Sequence, residues 1–408
     1  MKIIQINCVY KRGSTGKIVY DIHNVLLDEG IESIVCYGRG QKENELNVYK
    51  TSSELLAKFN VLKSCITGLQ YNGSWLATNT LLKIIRKEKP DIIHLQCING
   101  YFVNIYRLLN YLKNNKIKTV LTLHSEFMHT GSCGHAYDCE RWKEGCGNCP
   151  QLRIATKSYM FDRTKTAWTK MKNVFADFEN IKIVAVSKWL EDRAKKSPII
   201  NQHSFAVIHN GIDTNDTFKP RYYGYLKEKH NLKNEKIILH VTASFSLREN
   251  DIKGGVYVVK LAEKLKDKNV KIIIIGSRDL SIELPENVIN IGRTNKQCEL
   301  ATYYSMADLT LLTSKRETFS MVCIESLSCG TPVVGFKAGG PESIALNKYS
   351  EFVDYGDVNE LETTVIKWLE VKSIITSNTI SNDARQKYSS RNMGLEYLKI
   401  YRELDQIN

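Results

Sequence analysis

Residues 309–334 read LTLLTSKRETFSMVCIESLSCGTPVV, and this stretch indicates the fold class of the chain. The apolar run Leu309–Leu312 has the length of a buried parallel strand. Ser320–Cys329 has helical composition, and it is followed by Gly330, the residue type that most easily adopts the left-handed conformation at a helix C-terminus. Two valines then begin another strand. The stretch therefore predicts a strand, a loop, a helix and a strand of an α/β fold.

Two glutamates mark this stretch as a candidate binding site. Glu317 lies on the predicted loop, which leads from the carboxyl end of a strand into a helix N-terminus. Unpaired N–H groups and the positive end of the helix dipole favour a phosphate there, and open α/β sheets bind ligands at this edge. Glu325 follows eight positions later, so both carboxylates can face one crevice. Solvated surface carboxylates are the alternative for any such pair.

Length and composition indicate two globular domains. The chain has 408 residues, of which 43% are hydrophobic and 25% charged. We expect residues 1–217, joined by a C-terminal helix over 388–408, to form the first domain and residues 218–387 the second. No apolar run is long enough to cross a bilayer, and polar residues interrupt the N-terminal segment, so we expect a cytoplasmic protein.

The formal net charge of +13 does not indicate nucleic-acid binding. The lysines and arginines are scattered, and no helix-turn-helix, zinc-finger or stacking-aromatic signature accompanies them. An anionic nucleotide ligand or an anionic membrane surface explains the excess equally well.

The chain opens with a predicted βαβ unit. Strand Lys2–Val9 precedes Gly13-Ser14-Thr15-Gly16, a helix from about Lys17 to Asp28 and strand Glu32–Tyr37. The two glycines suit an ordinary tight turn as well as a ligand loop. They lack the three-glycine turn and following acid of dinucleotide-binding proteins, which argues against an NAD-dependent dehydrogenase.

Leu55–Thr67 and Thr78–Lys87 are amphipathic segments with many basic residues in and beside them. A solvated helix face explains this pattern, and contact with a membrane surface is the alternative. The basic residues are Lys58, Lys63, Lys83, Arg86, Lys87 and Lys89.

His124 stands at the carboxyl end of the predicted strand Ile117–Leu123, where side chains face a cleft rather than the core. A buried histidine satisfied by a backbone carbonyl is the alternative.

Lys253 precedes a predicted helix, where the helix dipole does not favour a cation. A diphosphate lying between the lysine and the helix would explain its position, while an ordinary surface lysine is the alternative.

Four cysteines cluster within seventeen residues, and three glycines lie among them. Disulfides are disfavoured in a cytoplasmic protein, whereas four thiolates can hold a structural Zn²⁺. Free or disulfide-forming thiols are the alternative. A catalytic metal is not expected, because four cysteine ligands leave no open position. The cluster consists of Cys133, Cys139, Cys146 and Cys149.

Taken together, these motifs resemble a known family. Glu317, seven residues, Glu325, a small residue, Cys-Gly-Thr-Pro-Val-Val and then Gly339-Gly340-Pro341-Glu342 resemble the donor site of the retaining family 4 glycosyltransferases. Their GT-B architecture has two Rossmann-like, doubly wound domains facing across a cleft. The loop from Thr130 to Pro150 is similar to one in bacterial polysaccharide glycosyltransferases of the colanic-acid type.

This resemblance implies a UDP- or GDP-linked sugar donor and no metal in catalysis, and the chain has no Asp-x-Asp pair. Glu317 would bind hydroxyls of the donor sugar, Glu325 the ribose, and His124 the sugar near the reacting carbon. Lys253 would stabilise the diphosphate. The resemblance also implies donor-binding roles for Gly16, Arg248, Thr294, Phe319, Ser320 and Met321.

Similar enzymes extend lipid-linked oligosaccharides at the inner membrane face, building capsule, exopolysaccharide or lipopolysaccharide. The resemblance therefore implies a glycan or lipid-diphosphate-linked acceptor and a peripheral membrane contact. A non-catalytic sugar-nucleotide-binding component of a polysaccharide assembly is the alternative function.

Overall fold

A computed structural model describes residues 1–278, 282–371 and 376–406. The chain divides into two compact units. The first comprises Met1–Asn210 and Arg391–Asn408, and the second comprises Gly211–Ser390. Each unit contains a parallel sheet flanked by helices, so the predicted α/β class with two doubly wound domains is confirmed.

The described residues of the first unit form a seven-stranded parallel sheet with the strand order β3-β2-β1-β4-β5-β6-β7. Its strands are β1 (Lys2–Asn7), β2 (Glu32–Tyr37), β3 (Val48–Lys50), β4 (Ile92–Leu95), β5 (Lys118–Leu123), β6 (Ile181–Ala185) and β7 (Ser204–Val207). The helices are α1 (Gly13–Asp28), α2 (Glu54–Thr67), α3 (Trp75–Glu88), α4 (Ile105–Asn114), α5 (Phe127–Thr130), α6 (Leu152–Ala155), α7 (Thr164–Phe175) and α8 (Lys188–Ala194).

In the part of the second unit that the structure describes, six parallel strands take the order β10-β9-β8-β11-β12-β13. These are β8 (Lys236–Phe245), β9 (Val270–Arg278), β10 (Val288–Gly292), β11 (Leu309–Leu312), β12 (Val333–Phe336) and β13 (Ser350–Val353). The helices are α9 (Gly224–Lys229), α10 (Gly255–Lys264), α11 (Gln297–Met306), α12 (Met321–Ser328), α13 (Gly340–Ile344), α14 (Val358–Val371) and α15 (Ser377–Tyr388).

Both sheets have the strand order of a doubly wound dinucleotide-binding fold. In this fold, successive strands are added to one side of the first strand and then, after one crossover, to its other side. That switch point lies between β1 and β4 in the first unit and between β8 and β11 in the second. Loops at the carboxyl ends of these strands diverge and leave a crevice, which is where such sheets bind ligands. The fold therefore singles out the loops that follow β8 and β11.

The unit boundaries differ from the predicted ones at residues 217 and 388. Ile212 forms a parallel bridge with Ser389, and the N–H of Ser390 donates to the carbonyl of Ile212 at 2.8 Å. These contacts join the residues after Asn210 to the end of the second unit. In addition, the predicted helix over 388–408 is interrupted: α15 ends at Tyr388, and a new helix begins two residues later. Residues 407 and 408 lie outside the described residues.

The final helix, α16 (Ser390–Gln406), packs into the first unit. Its apolar side chains join a core cluster with residues of β1 and α1, including Ile3 and Ile22. The hydroxyl of Tyr401 lies 2.7 Å from His94 Nδ1, and the Nε2 of that histidine lies 2.8 Å from Thr122 Oγ1. All three side chains are buried, so these hydrogen bonds satisfy polar groups that would otherwise be costly to bury.

Helix α2 exposes its large apolar side chains, whereas an ordinary surface helix buries them. Its buried side chains are the small or polar Ala57, Asn60 and Ser64. Its large apolar side chains are exposed, for example Leu55 at 80% and Phe59 at 64%. The sequence predicts an amphipathic segment here, and the structure shows that the apolar stripe of this helix is exposed. Among the described residues, no helix is long and apolar enough to cross a membrane.

Candidate functional site

The loop between β11 and α12 is fixed by backbone hydrogen bonds to the segment after β12. The N–H of Glu317 donates to the carbonyl of Ala338 at 3.0 Å, and the N–H of Gly340 donates to the carbonyl of Glu317 at 2.8 Å. A Cβ at Gly340 would lie 2.4 Å from the carbonyl carbon of Thr318, so only glycine allows this approach. The backbone of Glu317 is thus held in place at the carboxyl edge of the sheet.

The side chain of Glu317 is largely buried and is bound by neighbouring donors. Its Oε1 lies 2.7 Å from Lys253 Nζ and accepts a hydrogen bond from Ser314 Oγ at 2.6 Å. The side chain of Glu317 is 13% exposed, whereas that of Lys253 is 42% exposed. The structure thus brings together two predicted site residues that are 64 positions apart in the sequence.

Hydrogen bonds also connect the loops after β8 and β11. Thr313 Oγ1 donates to the carbonyl of Lys253 at 2.8 Å, and the N–H of Lys315 donates to the carbonyl of Ile252 at 2.8 Å. A Cβ at Gly254 would lie 2.1 Å from the carbonyl oxygen of Thr313. These loops flank the switch point, and they lead into α10 and α12. Two helix N-termini and Lys253 therefore supply positive charge along this edge.

Glu317 is an ionised carboxylate near neutral pH. Burial raises its pKa, but the charge and hydrogen bond of Lys253, with hydrogen bonds from Ser314 and Ser320, outweigh burial and bring the pKa below its ordinary value. Ser320 is also the N-cap of α12, where its Oγ accepts from the N–H of Cys323 at 3.3 Å. Phe319 is buried beside this cap, and Met321 begins the helix.

Glu325 lies on α12 and contacts a different element. The hydroxyl of Tyr304, on α11, donates to Glu325 Oε2 at 3.0 Å. Burial and the charge of Glu325 hold the pKa of this tyrosine well above its ordinary value, so the hydroxyl stays protonated as a donor. The two glutamates thus have separate partners, Lys253 for Glu317 and Tyr304 for Glu325.

Two other predicted donor-binding residues of the second unit, Arg248 and Thr294, lie on two different loops of the sheet. Arg248 is exposed on the loop between β8 and α10. Thr294 follows β10, an edge strand, and its hydroxyl donates to Glu299 Oε2 at 2.7 Å. The structure therefore places Arg248 on the same loop as Lys253, and Thr294 two strands away from β8.

In the first unit, His124 follows β5 at the carboxyl edge, as predicted. Its Nε2 lies 3.2 Å from Gln96 Oε1, and Gln96 Nε2 donates to Gln5 Oε1 at 2.8 Å. Burial lowers the pKa of His124 to about 4, so the imidazole is neutral near pH 7. This contact is with a side chain, whereas the alternative to a role in sugar binding was a buried histidine satisfied by a backbone carbonyl.

Gly16 lies inside α1, which begins at Gly13 rather than near Lys17. The predicted glycine loop is therefore the first turn of a helix. A Cβ at Gly16 would lie 3.1 Å from Val9 Cγ2, and the carbonyl of Gly16 accepts from the N–H of Lys11 at 3.0 Å. Close packing of the helix on the preceding loop explains this glycine.

The cysteine-rich loop follows His124 and is attached to a buried carboxylate. Glu126 is fully buried, and its oxygens contact Arg193 Nε at 2.6 Å and the N–H of Ala136 at 2.8 Å. Burial, and then the neighbouring cysteines, raise the pKa of Cys133. Cys133 lines a small cavity together with Cys139, Cys146 and Cys149.

Three polar neighbours of the site were not predicted from the sequence: Ser314, Tyr304 and His240. His240 is buried on β8, and its Nδ1 lies 3.1 Å from the carbonyl oxygen of Leu311. Burial is the main reason that its pKa falls to about 4. A polar residue in an otherwise apolar strand was the available signal for His240, while Ser314 and Tyr304 carried none.

Two doubly wound parallel units define the GT-B class of glycosyltransferase fold, and solved structures agree. A glycosyltransferase from Rickettsia africae matches with a TM-score of 0.66 and 16% identity, covering 100% of this chain and 99% of that one. HepE from Anabaena, solved in complex with UDP-glucose, matches with a TM-score of 0.67 and 16% identity, covering 99% of this chain and all of that one.

The chain belongs to glycosyltransferase family 4. The sequence model named Glycosyltransferase Family 4 matches residues 15–216, and that named Glycosyl transferases group 1 matches residues 225–387. WcaC of Escherichia coli K12, named as a colanic acid biosynthesis glycosyl transferase, is 23% identical over 99% of this chain and its own full length. The N-acetyl-alpha-D-glucosaminyl L-malate synthase of Bacillus anthracis is 28% identical over 40% of this chain and 44% of its own length.

Arg193→Met should strongly destabilise the first unit, because it leaves Glu126 as a buried charge without its cation. We expect the free energy of unfolding, measured by urea denaturation at pH 7, to fall by about 3–5 kcal/mol. The pKa of Glu126 is lowered from 4.5 to about 2, because the nearby His129, Arg193 and the Ala136 N–H outweigh its burial. The stabilisation is therefore complete above about pH 4.5 and is lost as the pH falls toward 2.

Lys188→Met is the matched control. Lys188 is 59% exposed and pairs with the exposed Asp192 and with Glu191, which keeps a second cation, Lys195, at 2.8 Å. Its replacement should cost no more than about 1 kcal/mol. An Arg193→Met protein that is as stable as this control would contradict the importance of the buried pair.

Proposed function

We propose that this protein is a retaining, metal-independent glycosyltransferase that uses a nucleotide-diphosphate sugar, UDP- or GDP-linked. Its acceptor is a lipid-linked glycan in the synthesis of a bacterial surface polysaccharide such as capsule or exopolysaccharide. The contact between Lys253 and Glu317, at the edge where α10 and α12 begin, carries this proposal. It combines a cation, helix N-termini and a fixed carboxylate at the place where a doubly wound sheet binds its ligand.

Lys253 can serve the donor and Glu317 at the same time. An ammonium group has three hydrogen-bond donors. One of them is directed to Glu317 Oε1, and the side chain is 42% exposed, so the others can reach a diphosphate. In glycosyl transfer, negative charge develops on the leaving diphosphate. Lys253 and the N–H groups at the start of α12 would stabilise this charge by fixed electrostatics, without a metal ion.

Glu317 would position the donor sugar. A carboxylate accepts about four hydrogen bonds, so sugar hydroxyls can be accommodated beside Lys253 and Ser314. Glu325, held by Tyr304, is assigned to the ribose. His124 is neutral at pH 7 and so can exchange hydrogen bonds with the transferred sugar without adding a fixed charge. Membership of family 4 supports retention of the anomeric configuration.

Similarity to WcaC over the whole chain supports a place in polysaccharide synthesis. HepE, which was solved with UDP-glucose, supports a nucleotide-sugar donor. We assign the reaction to the cytoplasmic face of a membrane, because the first unit carries a surface suited to contact with a bilayer.

That surface, here called the α2 face, consists of exposed apolar side chains on one stripe of α2. They recur at helical spacing, and they are Leu55, Phe59, Leu62 and Ile66, exposed by 80%, 64%, 58% and 45%. An exposed apolar stripe is unfavourable in water and indicates an interaction site. Lys58 and Lys63 are exposed on the same helix and would attract an anionic membrane surface.

Neighbouring segments extend the α2 face. Asn60 Nδ2 donates to Ser74 Oγ at 2.7 Å, which brings the start of α3 with its exposed Trp75 against α2. The N–H of Tyr159 donates to the carbonyl of Cys65 at 3.1 Å. Residues 159–161, each at least 50% exposed, therefore lie beside the end of α2. We assign this combined apolar surface with a basic border to a bilayer that contains anionic lipid, where a lipid-linked acceptor would be found.

Replacement of Glu317 tests the enzymatic proposal. Glu317→Ala should lower sugar transfer at least about 100-fold, equivalent to about 2.7 kcal/mol in activation free energy, because the donor sugar loses its fixed acceptor. The assay follows product formed on a lipid-diphosphate glycan with a panel of UDP- and GDP-sugars. Circular dichroism should show an unchanged fold.

Glu263→Ala, at an exposed position on α10, is the matched control and should keep full activity. Undiminished turnover by Glu317→Ala would refute the role of Glu317. A folded wild-type protein that binds a nucleotide sugar but transfers none to any acceptor would support a non-catalytic component instead.

The α2 face predicts binding to anionic vesicles. Leu55→Gln/Leu62→Gln should lower the partition coefficient on vesicles containing phosphatidylglycerol at least about tenfold, because two apolar side chains no longer enter the interface. Co-sedimentation measures this partitioning, and added salt should weaken it by screening the lysines.

Leu27→Gln/Leu46→Gln is the control, since both leucines are exposed, by 48% and 88%, outside the α2 face. This variant should bind vesicles like the wild type. Equal losses in both variants, or a wild-type protein that does not bind anionic vesicles, would overturn the assignment of the α2 face.

A further inference from the structure

The loop over residues 131–151 contains little regular secondary structure. Between α5 and α6 its one described helical segment is a 3₁₀ turn at Arg141–Lys143. Trp142 on that turn is 1% exposed, and its Nε1 donates to the carbonyl of Cys139 at 2.9 Å. A single aromatic anchor and a few turns give a loop of this length little core, so a further cross-link would contribute greatly to its order.

Four cysteines of this loop surround one small space. The cavity of ≈ 10 Å³ is lined by Cys133, Cys139, Cys146 and Cys149 together with Trp142 and Arg141. Such a volume corresponds to about one water-sized sphere. The seven other cysteines of the chain line no part of this cavity. Four thiols around a space for one small particle indicate a shared ligand.

Backbone contacts set the turn that carries two of the thiols. Gly147 and Asn148, between Cys146 and Cys149, have φ angles of 137° and 48°. The guanidinium of Arg141 donates to both of their carbonyl oxygens, at 3.0 and 2.7 Å. The N–H of Cys149 donates to Asp162 Oδ2 at 2.6 Å. This turn therefore has a fixed conformation, with the two-residue spacing of a zinc-binding Cys-x-x-Cys pair.

We propose that Cys133, Cys139, Cys146 and Cys149 bind one structural Zn²⁺. Each thiol would release its proton to solvent and coordinate the metal as a thiolate, giving a tetrahedral site with a net charge of −2. The charge of Arg141, which lines the cavity, would offset part of this charge. Because all four positions are protein ligands, the ion has no open position for substrate and serves to hold the loop.

Metal binding requires the thiols to converge. Among the described residues, no three His, Cys, Asp or Glu side chains already form a ready-made metal site. The four cysteines border the same cavity, so rotation of their side chains toward its centre is the movement that coordination needs. Cys146 Sγ, for example, is directed at the carbonyl oxygen of Thr130 at 3.6 Å and would exchange this weak contact for the metal.

The proposed ion would stabilise the loop that begins beside His124. Glu126 lies two positions after His124 and accepts a hydrogen bond from the N–H of Ala136. Arg193 contacts both Glu126 and Glu140. The zinc site and the buried ion pair would thus hold the loop from two sides. This inference does not depend on the proposed glycosyl transfer.

Metal analysis of the full-length protein tests the proposal. Protein purified without chelator should contain about one zinc per chain by inductively coupled plasma mass spectrometry. Exchange for Co²⁺ should give the thiolate charge-transfer absorption and d–d bands of a tetrahedral site. Both measurements use the wild-type chain, so they remain decisive even where a variant does not fold.

Cys146→Ser/Cys149→Ser should lose the zinc and the Co²⁺ spectrum, whereas Cys298→Ser, at an exposed position outside the loop, should retain both. Zinc retained in full by the double variant would overturn the assignment of these ligands. A wild-type protein without zinc would overturn the proposal itself. Alkylation and mass spectrometry would then show whether the loop thiols are free or joined in disulfides.

Discussion

The ion pair between Lys253 and Glu317 is the contact on which the candidate site depends. A carboxylate that is 13% exposed is costly unless its charge is compensated, and Lys253 Nζ at 2.7 Å provides that compensation. The same contact fixes the loops after β8 and β11 against each other. Backbone hydrogen bonds to Ala338 and from Gly340 then hold Glu317 at the edge of the sheet. A ligand that arrives there meets a carboxylate and a cation whose positions are already set, which reduces the cost of ordering them.

Sheet topology explains why residues so distant in sequence meet. In the order β10-β9-β8-β11-β12-β13, β8 and β11 are neighbours. The strands that follow each of them in sequence lie farther out, on opposite sides of the sheet. Their following loops therefore diverge around one crevice, and each leads into a helix N-terminus. The first unit repeats this arrangement around β1 and β4, and His124 follows the adjacent strand β5. Both units thus place polar side chains at the carboxyl ends of their central strands.

The buried strands could be predicted from the sequence, but the side of helix α2 that is exposed could not. Glu32–Tyr37 and Leu309–Leu312 were predicted within their observed bounds, because buried parallel strands appear as short apolar runs. The start of α1 at Gly13 was missed, since glycine is a poor helix former and two glycines look like a loop. For α2 the amphipathic period was visible in the sequence, but periodicity alone does not tell which side of a helix meets the core. The contact of Tyr304 with Glu325 depends on how α11 packs against α12, which a single sequence does not show.

The affinity of Lys253→Met for UDP and GDP, measured by isothermal titration calorimetry, tests the central claim most directly. Wild-type protein should bind at least one of the two nucleotides, and Lys253→Met should bind it at least about tenfold more weakly, equivalent to about 1.4 kcal/mol. Lys266→Met, at an exposed position outside the site, should bind like the wild type. An unchanged affinity in Lys253→Met, or a folded wild-type protein that binds neither nucleotide, would contradict the account.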